Sequence, residues 1–225
     1  MILIMAKDEK IIQDDEHVGI YGITGGGKSF LAANYLATRN IVLKIDTKGE
    51  ALKDIAEKKN PWSQVDPKKL AVLLHFDELK KHDFKARPYV IYVPDIEETD
   101  DKEHFNNLFK WIFYNFKRTG CKVWIDELRD IVESPHSILK YLKWIYTKGR
   151  FFNITIWAAS QEPRHIHSLC MSQSTHIFVF DLPRKDDRKR LADDTGCEEF
   201  LTLPTGYIFW YFRRGWRNAV KGVIS

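Results

Sequence analysis

Residues 22–29, Gly22-Ile23-Thr24-Gly25-Gly26-Gly27-Lys28-Ser29, match the spacing GxxxxGK[ST] in full. The match lies between an apolar run, Val18 to Tyr21, and an amphipathic one, Ser29 to Thr38. That context demands a strand, a tight glycine turn and a helix in immediate succession. The glycines let the backbone turn its N–H groups inward around an anion. The helix start adds a partial positive charge. Chance supplies on the order of one such match per hundred chains of this size, and the strand–loop–helix context lowers that further. Thr24, Gly25, Gly26, Gly27, Lys28, Ser29 and Phe30 are therefore the expected nucleotide-binding residues. Lys28 is placed to reach β- and γ-phosphates, and Ser29 to ligate Mg²⁺.

The rest of the chain alternates short apolar runs with longer amphipathic ones, the pattern of a parallel sheet covered by helices. Strands are predicted at Val18–Tyr21, Ile41–Ile45, Tyr89–Val93, Val123–Ile125, Ile154–Ala158 and Ile177–Phe180. Leu70–Phe76 reads equally as strand or short helix. Helices are predicted at Ser29–Thr38, at Lys102–Arg118, and from a cap at Ser134 or Ser137 to Lys148, with Gly149 as the stop. Asp186–Asp193 reads as a charged helix. Phe105, Leu108, Phe109, Ile112, Phe113 and Phe116 recur at spacings of three and four, which marks a core stripe. Tyr207–Arg213 and Ala219–Val223 form a terminal hairpin around Gly215. The expected fold is α/β: a P-loop NTPase of the ASCE or RecA-like kind. It is a three-layer sandwich with a mostly parallel central sheet and a C-terminal β-hairpin. We expect a single domain over 1–225, its core at about 15–182 and an extension at 183–225.

Two strand ends carry further chemistry. Val123-Trp124-Ile125 runs into Asp126 and Glu127, and in parallel sheets ligands bind at the carboxyl ends of strands. Asp126 is the expected Mg²⁺ holder beside Ser29, and Glu127 the residue that orients and deprotonates an attacking water. An Asp-Glu pair favours hydrolysis over transfer to a kinase acceptor. Ile154 to Ser160 runs into Gln161, a candidate contact to the γ-phosphate or the water. Arg150, in Lys148-Gly149-Arg150, lies before that strand. It is a candidate to stabilise a phosphoryl group bound by a neighbouring subunit, against the plainer reading of a basic residue at a helix C-terminus.

Five segments in register resemble the FtsK/HerA superfamily of ring-forming DNA pumps. They are Gly22–Ser29, Ile45-Asp46-Thr47-Lys48-Gly49-Glu50, Asp126-Glu127, Lys148-Gly149-Arg150 and Ala158-Ala159-Ser160-Gln161-Glu162-Pro163. Family sensors often read Ala-Thr-Gln-Arg-Pro; here Glu162 precedes Pro163 and Arg164 follows it. No anchor, winged-helix module or helical insert is read, so the chain looks most like the genome-packaging ATPases of tailless, internal-membrane viruses of the tectivirus type. The resemblance implies ATP and Mg²⁺ as cofactors and double-stranded DNA as the cargo. It also implies a ring of identical subunits, expected to be a hexamer, and capsid vertex or portal proteins as further partners.

Composition limits the alternatives. Lys plus Arg number 35 against 31 acids, and a net charge of +4 permits nucleic acid without requiring it. Basic clusters occur at Lys117-Arg118 with Lys122, at Arg184-Lys185 with Arg188-Lys189-Arg190, and at Arg213-Arg214 with Arg217. Each reads first as solvated surface. Cys121, Cys170 and Cys197 form no CxxC pair, so reduced thiols are expected rather than a metal site. Met1 to Ala6 is too short for a signal segment, and no run reaches the roughly 18 apolar residues of a membrane span. The expectation from these features is a soluble, intracellular protein; the viral resemblance implies the host cytoplasm, or association with the virion at a capsid vertex. The competing readings are a conjugation or filamentous-phage secretion ATPase, a small-molecule kinase, and a nucleotide switch that does not hydrolyse.

Overall fold

The structure, a computed structural model, describes residues 12–95, 101–132, 134–204 and 206–224. The apolar start, Met1 to Ala6, lies outside the described residues. Among the described residues nine strands form one sheet: β1 (His17–Tyr21), β2 (Val42–Ile45), β3 (Leu70–Leu73), β4 (Tyr89–Tyr92), β5 (Cys121–Ile125), β6 (Ile154–Ser160), β7 (Ser174–Val179), β8 (Ile208–Arg213) and β9 (Val220–Val223). Their spatial order is β3-β4-β2-β5-β6-β1-β7-β8-β9. All neighbours from β3 to β7 run parallel. Only β8 and its two pairings are antiparallel. The fold is thus α/β with a mostly parallel sheet and a terminal hairpin.

The helices are α1 (Lys28–Leu36), α2 (Glu50–Ala56), α3 (Phe76–Lys81), α4 (Lys102–Asn115), α5 (Leu128–Ile131), α6 (Lys140–Lys148), α7 (Ser168–Gln173) and α8 (Lys185–Thr195). They make the sheet the middle of three layers. Successive strand side chains point to opposite faces, and both faces are covered. Leu43, Ile45, Val123, Ile125, Ile154, Ile156, Ile177 and Val179 pack with the apolar faces of α4 and α6. Val18, Ile20, Trp124, Trp157 and Phe178 pack with Leu31, Ala32 and Leu36 of α1. Every residue of β1, β2, β5 and β6 is consequently buried. The predicted stripe Phe105, Leu108, Phe109, Ile112, Phe113 and Phe116 is buried core. Its helix stops at Asn115, with Phe116 as the cap.

One local expectation is corrected and one ambiguity resolved. The helix placed after Ser134 or Ser137 begins only at Lys140. Pro135 instead sits in a turn closed by Ser137 N–H on Ser134 O (3.3 Å) and by His136 N–H on Ser134 Oγ (3.1 Å). At its other end the α-helix stops at Lys148 with Gly149 as the cap, as the sequence suggested, and the chain goes on as a 3₁₀ turn to Phe152 before reversing at Asn153, which adopts φ 54°. The ambiguous stretch from Leu70 is strand to Leu73, followed by a separate helix from Phe76. All three cysteines are free and buried. Among the described residues no helix is long and apolar enough to cross a membrane.

The basic clusters are partly structural. Lys122 is buried and donates to the carbonyls of Asp14 and Asn153. Arg188 donates to the carbonyls of Leu182, Pro183 and Leu201, and Arg214 to those of Ser174 and Met171.

Candidate active site

β1 ends at Tyr21, and the chain turns directly into the glycine loop. Gly22 N–H donates to Ser160 O and Ile23 N–H to Asp181 O, so the loop is pinned to β6 and to the end of β7. Gly27, at φ 101°, is the cap of α1, a left-handed conformation that favours glycine. Among the described residues the N–H groups of Thr24, Gly25 and Gly27 make no hydrogen bond. A helix start leaves its first N–H groups free as well. The loop thus offers a nest of uncommitted donors, with open space beside Gly25. The Lys28 ammonium donates to Ile23 O at 2.8 Å, on the rim of that nest. Burial pulls its pKa below the ordinary lysine value, against the opposing pull of Glu127 and Asp126.

Strand alternation decides which acid meets the loop. Lys122, Trp124 and Asp126 share the β5 face covered by α1, as do Val42, Lys44 and Asp46 of the β2 line. Asp126 accordingly meets α1: Ser29 Oγ donates to Asp126 Oδ1 at 3.1 Å. The other oxygen of Asp126 lies 3.7 Å from the Lys44 ammonium, itself stacked over Trp124 at 4.6 Å. Glu127 falls on the opposite side of the alternation. Its Oε1 accepts from Gln161 N–H at 3.4 Å, and its Oε2 lies 3.6 Å from the Lys48 ammonium. Gln161 is tied back to the loop, because Thr24 Oγ1 donates to its Oε1 at 3.0 Å.

The segment after β2 is built to present Lys48. Buried Asp46 accepts from Lys48 N–H (3.3 Å) and Ala51 N–H (2.8 Å), and so caps α2. Thr47 Oγ1 donates to Asp130 Oδ2 at 2.7 Å, which ties the segment to the helix that follows Glu127.

One cavity of about 690 Å³ collects these groups. It is lined by Thr24, Gly25, Gly27, Lys28, Ser29, Phe30, Lys48, Glu50, Asp126 and Gln161, together with Tyr207 and Ile224 from the C-terminal hairpin. Phe30 and Tyr207 are exposed, and so offer apolar surface to a ligand. Thr24, Gly25, Gly27, Lys28, Ser29, Phe30, Asp126 and Gln161 therefore meet at one place; Gly26 and Glu127 do not line it, and Glu127 is joined to it through Gln161 N–H. Arg150 does not join them. It sits at the opposite end of β6, where its Nε donates to Asp15 O at 2.8 Å. A seven-residue strand separates it from Gln161, a distance on the order of 20 Å.

Lys44, Lys48, Glu50, Tyr207 and Ile224 were not assigned roles from sequence. Lys48 and Glu50 had a signal, since they stand in the Asp46–Glu50 segment. Lys44 had a weaker one, a lysine inside an apolar strand. Tyr207 and Ile224 had none, being some 180 residues beyond the loop they approach.

The donor set fits the groups the sequence suggested. A nest of N–H donors with a lysine suits a polyphosphate. A hydroxyl beside a buried carboxylate is a hard-oxygen pair. It suits Mg²⁺, which takes few protein ligands and completes its shell with water and phosphate oxygens.

Loop, lysine and aspartate in one cavity, with β6 inserted between β1 and the strand bearing Asp126, define the P-loop NTPase fold of the ASCE type. The structural neighbours include viral genome-packaging NTPases, the group to which the sequence resemblance pointed. The genome-packaging NTPase B204 of Sulfolobus turreted icosahedral virus 2, solved with sulfate, aligns with a TM-score of 0.72 at 14% identity, over 94% of this chain and 97% of that one. The DNA-packaging ATPase B204 of Sulfolobus turreted icosahedral virus aligns with a TM-score of 0.70 at 16% identity, over 92% and 96%. The conjugation coupling protein TcpA of pCW3 aligns with a TM-score of 0.57 at 13% identity, over 92% of this chain and 59% of that one. These likenesses are of fold. No protein-family model and no curated protein sequence matches the chain.

Proposed function

We propose that this chain is an ATP-hydrolysing motor that moves double-stranded DNA as a ring, in the packaging of a viral genome into a preformed capsid. The observation that carries the ATPase reading is the Ser29–Asp126 contact at 3.1 Å beside the glycine loop. The packaging reading is supported by the fold neighbours, whose structures include complexes with AMPPCP and ATP-γ-S.

In this reading the loop N–H groups and Lys28 bind the β- and γ-phosphates and offset their charge. Ser29 and Asp126 would hold Mg²⁺, which supplies charge stabilisation to the phosphates when bound. Glu127 takes the proton of the attacking water, and Gln161, joined to both Thr24 and Glu127, fixes where that water sits. Arg150, remote from its own cavity, serves the nucleotide of an adjacent subunit in a head-to-tail ring.

The test is the ATPase rate with and without double-stranded DNA. Glu127→Gln is expected to bind ATP yet lose turnover by about 10²–10⁴-fold, the usual size of a general-base contribution. Arg150→Ala is expected to inactivate mixed rings beyond its share of subunits. Full activity in Glu127→Gln would remove that residue from the mechanism, and strictly proportional loss in mixed rings would remove the trans role of Arg150. The TcpA likeness favours a second reading, a conjugation ATPase. Stimulation by a capsid vertex, rather than by a membrane-bound partner, separates the two.

A further inference from the structure

Three lysines reach this site, and they are not equivalent. The Lys28 ammonium is committed to the glycine loop through Ile23 O. Lys44 is buried between Asp126 and the face of Trp124, its side chain 7% exposed. Lys48 differs. Its side chain is 37% exposed, it lines the cavity, and its partner is Glu127, whose side chain is only 5% exposed. Glu127 is not among the residues that line the cavity. A ligand in the cavity therefore meets Lys48 before it meets Glu127.

The backbone around Lys48 is fixed, and its side chain is not. Asp46 holds the Lys48 N–H, Thr47 is tied to Asp130, and Gly49 turns the chain at φ 68° into α2. Only the four-carbon stem is left to move. Both Glu127 oxygens are engaged, one by Gln161 N–H and the other by this ammonium.

We propose that Lys48 is a clasp shared between Glu127 and the terminal phosphate of a bound nucleoside triphosphate. A terminal phosphate carries nearly twice the charge of a carboxylate and three acceptor oxygens, so it competes well for the ammonium. Transfer of the ammonium places a cation on the γ-phosphate and frees the Glu127 oxygen that it had held. The step so gated is hydrolysis: the water oxygen bonds to the γ-phosphorus while its proton passes to Glu127. The bond to the bridging oxygen then breaks, and its electron pair leaves with ADP. Lys48 is a phosphate-contacting residue that also holds Glu127 until the third phosphate arrives. This inference rests on the ATPase reading above and specifies which groups sense the third phosphate.

The test is equilibrium titration of the full chain with Mg²⁺ plus AMPPCP or Mg²⁺ plus ADP, for wild type, Lys48→Ala, Glu127→Gln and the double variant. Lys48→Ala is expected to weaken AMPPCP about tenfold while ADP stays within about twofold, because only the triphosphate reaches the ammonium. Glu127→Gln is expected to tighten AMPPCP several-fold by removing the competing carboxylate, and to have no such effect when Lys48 is already alanine. A salt bridge that merely supports the fold would lower the melting temperature of Lys48→Ala without separating the two nucleotides. Equal effects of Lys48→Ala on AMPPCP and ADP, or an undiminished Glu127→Gln gain in the Lys48→Ala background, would overturn the clasp. Wild type that binds neither nucleotide would instead overturn the ATPase reading itself.

Discussion

His17 shows how much a single buried residue can carry in this fold. Its Nδ1 accepts from Ile156 N–H at 2.9 Å, so the ring proton lies on Nε2, which donates to Tyr146 O at 3.1 Å. The neutral tautomer satisfies both partners, whereas a second proton would set Nδ1–H against an N–H donor. Burial is the main reason its pKa falls to about 3, with the charges of Arg150 and Lys122 adding to it. The unfolded chain therefore takes up this proton first, near the ordinary value of 6.5. Stability is full above that pH and declines from about 6.5 down to about 3, by roughly 1.4 kcal/mol per pH unit from this group. We expect urea midpoints to fall between pH 7 and pH 5, and His17→Gln to flatten that slope. An unchanged slope in the variant would assign the loss to other groups. None of this was legible in the sequence, where His17 is one of 8 histidines at the start of an apolar run.

The legible elements are those whose local pattern and tertiary role coincide. The central strands were found because burial on both faces leaves an uninterrupted apolar run, and α4 because its stripe repeats at helical spacing. The short helices α2, α5 and α7 were missed, since four to seven residues give too little periodicity to read. Gly149 does cap its helix, but not through the left-handed turn that usually calls for glycine there. Its backbone is ordinary helix, and what the glycine provides is room: a Cβ would stand 2.4 Å from Ile154 O. That carbonyl belongs to the first residue of β6, the strand that leads to Gln161. Gly149→Ala is expected to cost about 1–3 kcal/mol, as overpacking against a fixed backbone usually does. Denaturant unfolding measures it directly, and a variant of wild-type stability would show that the turn yields freely.

At the scale of the molecule, the sheet order makes the site. Placing β6 between β1 and β5 brings Gln161 between the loop and the acids. Folding the C-terminal hairpin onto β7 carries Tyr207 and Ile224 to the cavity, with Ile224 N–H bonded to Tyr207 O at 3.0 Å. An exposed phenol ring lining the same cavity as Phe30 offers surface suited to a nucleobase. Tyr207→Ala is expected to weaken ATP binding about tenfold, the worth of a good aromatic contact, and to leave inorganic tripolyphosphate unaffected. Calorimetric titration of both ligands decides it: equal losses would place Tyr207 at the phosphates, and no loss would place it outside the site.

The sequence by itself determined the chemistry available at each strand end. Glycine, lysine and serine at fixed spacing permit one local backbone, and an apolar strand followed by Asp126 and Glu127 delivers acids to the ligand edge of a parallel sheet. What only the tertiary structure decided is who meets whom. Alternation on β5 sends Asp126 to Ser29 and Glu127 to Lys48, and a hairpin far along the chain closes the cavity. Those pairings depend on strand order and helix packing, which arise from burial over the whole sheet and leave no mark in any local stretch of residues.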